Sequence, residues 1–217
     1  MVYSKFTDII KPGIILIALV SLGYSTIPLW SRVIVSWPDA AKTVARELVD
    51  KYGAPDEITS EQLIWWNKEP FVWIKVHSQE VEHDFPEPHK DVLEMAIPYR
   101  MPPTRYNKLV EFDGSVVAMR TKGILAASSF NEPMNLLLLN LANDVIRGKK
   151  KPDQARKALA EIARGFINGE TNPYTDALQF KVMPLEQTQD KDKPLVLKKP
   201  KEKKKVEEKK PDKTRTK

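Results

Sequence analysis

The sequence predicts an α+β fold in which small antiparallel β-hairpins pack with an α-hairpin. An N-terminal transmembrane helix, or alternatively a signal segment, precedes this fold, and a disordered Lys-rich C-terminal tail follows it. Three observations predict this arrangement: an uncharged apolar run near the N-terminus, alternating helix and strand signals in the middle, and a concentration of lysine at the end. The expected divisions are residues 1–34 (membrane anchor or signal), 35–180 (globular extracytoplasmic domain) and 181–217 (basic tail).

The first segment contains an apolar run of nearly membrane-spanning length. Residues 12–30 are 19 positions without a charge, close to the roughly 20 residues that a helix needs to cross a bilayer. Lys5 and Lys11 precede the run, so the N-terminus is expected inside and the domain outside. Cleavage of the segment as a signal peptide is the alternative, and it would make the domain secreted or periplasmic. The residues expected in the bilayer or at its surface are Ile14, Ile15, Leu16, Ile17, Leu19, Val20, Leu22 and Trp30.

The globular segment begins with a helix and a hairpin. Pro38 and Asp39 are typical of a first helical turn, and Gly53 is typical of a helix end. Residues 62–66 and 71–77 are rich in Trp, Ile and Val and predict two strands joined by a short loop. Since successive strand residues point to opposite faces, Trp65 and Trp66 cannot both face the core. Partner-facing aromatics are therefore one interpretation, with Trp65, Trp66 and Trp73 as the candidates.

The second half of this segment predicts another hairpin and three helices. Residues 115–120 and 124–130 flank a turn at Gly123, after a helix over residues 103–112. Asn131 is expected to cap a nearly all-apolar helix over residues 134–146, which is typical of a central buried helix. Asn140 interrupts this helix and is expected to make a structural hydrogen bond. A second helix follows Pro152, and residues 92–97 fit either a strand or a helix.

All three histidines lie within 13 residues of one another, in the stretch HSQEVEHDFPEPHKD. Imidazole and carboxylate groups are ligands for Zn²⁺, Mn²⁺ or Fe²⁺, but the spacing matches no standard metal motif. The sequence predicts a polar loop here, and a metal or ligand site is the alternative interpretation. The candidate ligand or metal residues are His77, His83, Asp84 and His89, with Asp91 close by in the sequence.

Several classes of chemistry are excluded or disfavoured by the sequence. The chain has no cysteine, which excludes disulfides, thiolate metal sites and a cysteine nucleophile. It contains no glycine-rich phosphate-binding loop. Ser115 follows Asp113-Gly114, a combination that is foremost turn chemistry, and no nucleophile-elbow motif surrounds it. The interpretation we favour therefore involves no catalysis and no cofactor.

The net charge of +6 belongs to the tail and not to the body of the protein. Residues 181–217 carry 14 Lys or Arg against 7 Asp or Glu, whereas the rest of the chain has a net charge of −1. A segment this polar, with four prolines after residue 183 and no aromatic residue, is expected to be disordered. Such a tail can approach an anionic surface, and nucleic acid is a disfavoured partner because no aromatic side chain is available to stack on bases.

A short stretch, from Tyr52-Gly53-Ala54-Pro55 to Trp65-Trp66, resembles the small envelope-assembly and inhibitor domains of outer-membrane lipoproteins. The cysteine that anchors a lipoprotein is missing here, so the resemblance assigns no role to any residue.

The function expected from the sequence is that of a membrane-anchored extracytoplasmic binding, scaffold or accessory subunit of a membrane or envelope complex. Its partners would be the lipid bilayer through the N-terminal helix, another membrane or envelope protein, and an anionic surface through the tail. The alternative is a metal-dependent hydrolase-type enzyme that uses the loop containing His77, His83 and His89.

Overall fold

The computed structural model describes residues 27–196, which form a six-stranded antiparallel sheet with helices packed on it. The strand order is β1-β2-β3-β4-β6-β5, and every neighbouring pair is antiparallel. The mixed α+β class predicted from the sequence is thereby confirmed. The strands are β1 (Glu57–Ile58), β2 (Gln62–Trp66), β3 (Trp73–His83), β4 (His89–Pro98), β5 (Val116–Met119) and β6 (Ile124–Ser129).

Seven helices lie within the described residues, and the longest of them cover one face of the sheet. α4 packs against β4 and β6, while α2 packs against β3 and β4 and α5 packs against α4. Asn131 caps α4 as predicted, since its Oδ1 accepts a hydrogen bond from the Met134 amide at 3.0 Å. The helices are α1 (Leu29–Val33), α2 (Asp39–Tyr52), α3 (Tyr106–Phe112), α4 (Glu132–Ile146), α5 (Pro152–Ile167), α6 (Pro173–Asp176) and α7 (Leu185–Thr188).

The predicted loop that contains the histidines is a β-ribbon. β3 continues to His83 and β4 begins at His89, so only residues 84–88 form the turn between them. Strand alternation was not recognisable here because the register shifts between Val76 and Val81, which breaks the two-residue period of the side chains. We call residues 77–92 the β3–β4 ribbon. The same strand assignment settles residues 92–97, for which the sequence left strand and helix open.

The N-terminal end of the described chain packs on the domain. Trp30 and Val33, in α1, contact the main hydrophobic core, although Trp30 was expected to mark the membrane surface. No helix among residues 27–196 is long and apolar enough to cross a bilayer. The other residues of the predicted span, Ile14, Ile15, Leu16, Ile17, Leu19, Val20 and Leu22, lie outside the described part of the chain.

The folded part extends beyond residue 180, where the sequence placed the start of a disordered tail. Thr188 is buried, and its hydroxyl donates to the Gly123 carbonyl at 2.7 Å. Arg120 pairs with the carboxylates of Asp190 and Asp192. Leu185 packs on the sheet face opposite the one that α2 and α4 cover. The high lysine and proline content of this segment predicts disorder. Its order is not recognisable from the sequence because it depends on a few contacts with the 120–123 turn and not on a hydrophobic run within the segment.

Candidate functional site

His83, His89 and Asp91 come together near the tip of the β3–β4 ribbon. His83 is the register partner of His89, and Asp91 is the partner of Val81. Antiparallel partners share a face of the sheet, as do residues two positions apart on one strand, so all three side chains point the same way. We call these three side chains the histidine–aspartate cluster.

The distances within the histidine–aspartate cluster are those of polar contacts. His83 Nδ1 lies 3.2 Å from Asp91 Oδ2, and His89 Nε2 lies 3.0 Å from Asp91 Oδ1. His89 Nδ1 is 2.7 Å from the Glu87 carbonyl oxygen. A carbonyl can only accept a hydrogen bond, so the proton on Nδ1 is assigned by this contact. The Nε2 atom is consequently the one directed at Asp91.

Two carboxylates beside the histidines are buried and incompletely hydrogen-bonded. Asp91 is 7% exposed and Asp113 is 2% exposed. The contact with His89 Nε2 at 3.0 Å, an ion pair when His89 is protonated, is all that Asp91 Oδ1 has among the described residues. The Asp113 Oδ2 atom has no hydrogen-bond partner among them, although its Oδ1 accepts from the amide and hydroxyl of Ser115. Unpaired buried carboxylate oxygens carry a substantial free-energy cost.

Asp113 reaches the histidine–aspartate cluster through packing between the ribbon and the helices. Together with His83 and His89 it lines a small internal cavity of about 10 Å³. Arg156, on α5, lies 3.8 Å from the centre of the Phe85 ring in the ribbon turn and donates to the Phe112 carbonyl at 2.8 Å. This side chain thereby holds the ribbon turn close to the end of α3, where Asp113 follows.

The pKa values of His77 and His89 move in opposite directions. Burial works against the charged form of His89, but the contacts with Asp91 and the Glu87 carbonyl and the charges of Asp91 and Asp113 outweigh it, so its pKa is raised. Burial is the main influence on His77 and lowers its pKa, with the Glu94 charge opposing and the Lys75 charge assisting that shift.

An open cleft of about 490 Å³ adjoins the histidine–aspartate cluster. It lies between the β3–β4 ribbon and the beginning of β5, and it combines apolar side chains with titratable ones. A cleft of this size with a few converging polar groups is typical of a small-ligand site. We call it the ribbon cleft. Its lining includes His77, Gln79, Val81, Glu82, His83, Asp91, Val92, Leu93, Gly114, Ser115, Val117 and Ser128.

The other two candidate ligands from the sequence lie away from the histidine–aspartate cluster. His77 alternates with the buried Val76, and it therefore faces the opposite side of the sheet while still lining the ribbon cleft. Asp84 is exposed in the ribbon turn. Ser115 donates to Asp113 and not to a histidine, so no serine–histidine pair forms. Asp113 was not predicted as a site residue, because Asp-Gly-Ser is a common turn sequence and does not distinguish a functional aspartate from a structural one.

The three candidate interaction aromatics divide between the two faces of the sheet. Trp65 is fully buried in the main core and donates to the Gly53 carbonyl at 2.9 Å. Trp66 is 36% exposed on the other face, with its ring edge against Trp73. Trp73 is itself mostly buried and donates to Glu94 at 2.6 Å. Trp66 is therefore the one of the three with substantial accessible surface.

No protein-family model, no curated protein and no solved structure matches this chain.

Proposed function

We propose that this protein is a membrane-anchored extracytoplasmic binding or accessory subunit that presents the ribbon cleft to a membrane or envelope partner. The observation that carries the proposal is the continuity between the apolar run and the fold. Trp30 lies at the end of the uncharged run, two residues before Arg32, and packs on the domain core. A span that ends before Ile27 would therefore be separated from the domain by only a few residues, and it would hold the cleft at a limited distance from the bilayer.

Two further features support a location at a membrane surface. Ile27, Leu29 and Val35 are each more than half exposed and lie in the last residues of the apolar run or shortly after it, as expected for residues in contact with an interface. The Lys-rich tail supplies positive charge that an anionic lipid or protein surface attracts, by about 1 kcal/mol for each basic residue near a membrane.

Membrane extraction of the full chain tests the anchor. We expect the protein to stay with membranes in high salt and in alkaline carbonate, and the intact mass to show that the segment is retained. Leu16→Arg with Val20→Arg should release it, because each arginine at a bilayer centre costs about 2.5 to 3.5 kcal/mol. The matched control is Val110→Arg with Ile167→Arg, at two exposed positions of the domain. Release of the intact wild-type chain by salt alone would refute the anchor.

Site-specific photocrosslinking tests the accessory role. A photoreactive residue at Val117, which is exposed in the ribbon cleft, should yield one discrete crosslinked membrane or envelope protein. The same residue at Val110, exposed on α3, is the control. An identical crosslinking pattern from both positions, or no product from Val117, would contradict a partner at the cleft.

A second candidate function, a metal-dependent hydrolase, is favoured by one observation: two histidines and a buried carboxylate converge beside the ribbon cleft. His83, His89 and Asp91 would hold a metal ion, which would supply Lewis-acid activation of a water for hydrolysis. His77 lines the same cleft but faces the opposite side of the sheet from these three residues, so the candidate rests on the converging ligands alone.

Turnover of two generic probes distinguishes this second candidate. The full chain supplied with Zn²⁺ is expected to hydrolyse p-nitrophenyl acetate or bis-p-nitrophenyl phosphate, and Asp91→Asn should abolish the activity. Asp84→Asn, an exposed carboxylate in the same ribbon, is the matched control. Equal turnover by the wild type and Asp91→Asn would show that the activity comes from free metal or a contaminant. That result would contradict the hydrolase proposal.

A further inference from the structure

We propose that His83, His89 and Asp91 form a binding site for a divalent transition-metal ion of the Zn²⁺ class, with the Asp113 carboxylate as a fourth group beside it. Metal binding at this place is what the hydrolase candidate requires, but the inference stands without hydrolysis and without the membrane anchor.

The spacing of the ligand atoms is close to that of a metal site. One ligand atom from each of the three residues can be chosen such that no two are farther apart than 4.8 Å. Zn²⁺ with bonds of about 2.1 Å in tetrahedral geometry would hold its ligand atoms roughly 3.4 Å apart. Each imidazole already lies near this distance from one Asp91 oxygen, His83 Nδ1 at 3.2 Å from Oδ2 and His89 Nε2 at 3.0 Å from Oδ1.

The buried carboxylate oxygens are a separate indication that a cation belongs here. Asp113 Oδ2 lacks a hydrogen-bond partner among residues 27–196, and Asp91 Oδ1 has only its contact with His89 Nε2 at 3.0 Å. Both side chains are more than nine-tenths buried. A metal ion at the histidine–aspartate cluster would compensate the Asp91 oxygen directly. It would also stabilise the second carboxylate, either as a ligand or through a bound water.

The space and the surroundings also fit a single ion. The internal cavity lined by His83, His89 and Asp113 has a volume of about 10 Å³, on the order of what one water-sized occupant needs, while Asp91 lines the adjoining ribbon cleft. Apart from Pro86 and Ser129, apolar side chains form the rest of the cavity wall and limit the access of bulk water. These are Phe85, Phe130, Met134, Leu138 and Leu159.

The orientation of His89 is the one that metal-binding histidines adopt. Its Nδ1 donates to the Glu87 carbonyl at 2.7 Å, which leaves Nε2 to face Asp91. Metal-ligating histidines commonly donate their other ring N–H to a carbonyl or carboxylate in this manner. The ring also packs edge-on to Phe130, with centroids 5.0 Å apart, so its position is supported from both sides.

The ligand types indicate which ions would bind. Two imidazoles and one or two carboxylates favour borderline ions such as Zn²⁺, Co²⁺ or Fe²⁺, whereas Mg²⁺ and Ca²⁺ prefer sites built of oxygen alone. We therefore expect tight binding of Zn²⁺ and Co²⁺ and no competition from millimolar Mg²⁺.

The test uses the full chain in detergent, without an affinity tag that contains histidine, after removal of metal by a chelator. Calorimetric titration with Zn²⁺ should show one ion per chain, and Co²⁺ should give the visible absorption bands of a low-symmetry site. His89→Ala and Asp91→Asn should weaken Zn²⁺ binding at least a hundredfold, and Asp113→Asn about ten- to a hundredfold. His77→Ala and Asp84→Asn are matched controls and should bind as the wild type does.

Each result decides the inference independently of the membrane anchor. Absence of stoichiometric Zn²⁺ binding by the folded wild type would overturn it, as would unchanged affinity in Asp91→Asn. Equal loss in His77→Ala would show that the ion binds in the cleft and not at the proposed ligands. Circular dichroism of each variant separates loss of the ligand from loss of the fold, and Asp91→Asn preserves the size of the side chain. Zn²⁺ binding without hydrolysis of either probe would support the metal site and contradict the hydrolase proposal.

Discussion

The rings of His83 and His89 lie 4.8 Å apart between centroids, at an interplanar angle of 47°, across the tip of the β3–β4 ribbon. They are register partners in an antiparallel pair, so the turn over residues 84–88 determines their separation. The carboxylate of Asp91 contacts both imidazoles. Two rings of the same type are thereby held around one acidic group instead of being spread along a polar loop.

The opposite pKa shifts of His77 and His89 predict opposite effects of pH on stability. The raised pKa of His89 makes its contribution fully present below about pH 6.5 and lost as the pH rises through the folded-state value. Because the pKa of His77 is lowered in the folded state, the unfolded chain binds a proton at this residue at a higher pH than the native protein does. His77 therefore causes a loss of stability as the pH falls below about 6.5.

Urea unfolding over a series of pH values measures both effects in metal-free protein. We expect His89→Gln to remove a decrease in the unfolding free energy as the pH rises above about 6.5, and His77→Gln to remove a decrease as the pH falls below about 6.5. Nuclear magnetic resonance titration should show His89 protonated at a pH where His77 is neutral. Titration of both rings at the same pH would contradict the structure.

Asn140 is predicted to stabilise the fold by fastening the 174–179 segment to α4. Its side-chain amide donates to the Tyr174 and Ala177 carbonyls, and its Oδ1 accepts from the Gln179 amide at 2.7 Å. Asn140→Leu should lower the unfolding free energy by about 3 kcal/mol, because partially buried backbone groups lose their partners. Denaturant unfolding provides the measurement.

Asn135→Leu is the matched comparison on the same helix. Asn135 is equally buried, but it makes one hydrogen bond, to the Leu93 carbonyl, and its Oδ1 has no partner among the described residues. Its replacement should cost only about 1 kcal/mol. An equal or larger cost at Asn135 would show that the contacts to the 174–179 segment contribute little.

Gly123 is predicted to be necessary for docking the segment that contains Thr188. It has φ +70°, and a Cβ there would lie 2.6 Å from backbone atoms of Thr188 and Gln189. Gly123→Ala should lower stability by about 2 kcal/mol or more and expose residues after 184 to proteolysis. Gly53→Ala, where φ is +80° and the space is open, reports the backbone strain alone. Equal proteolysis in the two variants would contradict the steric account.

Trp65 and Trp66 are predicted to differ in their contribution to stability. Trp65→Ala removes a fully buried side chain from the core and should cost about 3 to 5 kcal/mol. Trp66→Ala should cost about 1 kcal/mol, because the ring is 36% exposed and loses mainly its contacts with Glu57 and Trp73. Thermal unfolding of the two variants provides the comparison, and similar melting temperatures would refute the assignment of faces.

Much of the fold followed from local patterns. Helix signals at Asp39 and Gly53, the cap at Asn131 and the turn at Gly123 lie where the structure has those features, because each depends on a few adjacent residues. The C-terminal segment was less predictable. Thr188 is buried by contact with a turn 65 positions away, and no property of residues 181–192 alone indicates it.

The sequence by itself determined the α+β class, the neutral body with a basic end, the absence of cysteine chemistry and the concentration of histidine in one stretch. The tertiary structure alone decided which of those groups meet. His77 and His89 are close in sequence, yet a register shift places them on opposite faces, while Asp113 joins His89 from a different element. The reason is physical: spacing along a chain sets side-chain direction only while the strand period is unbroken, and contacts between elements depend on how their faces pack.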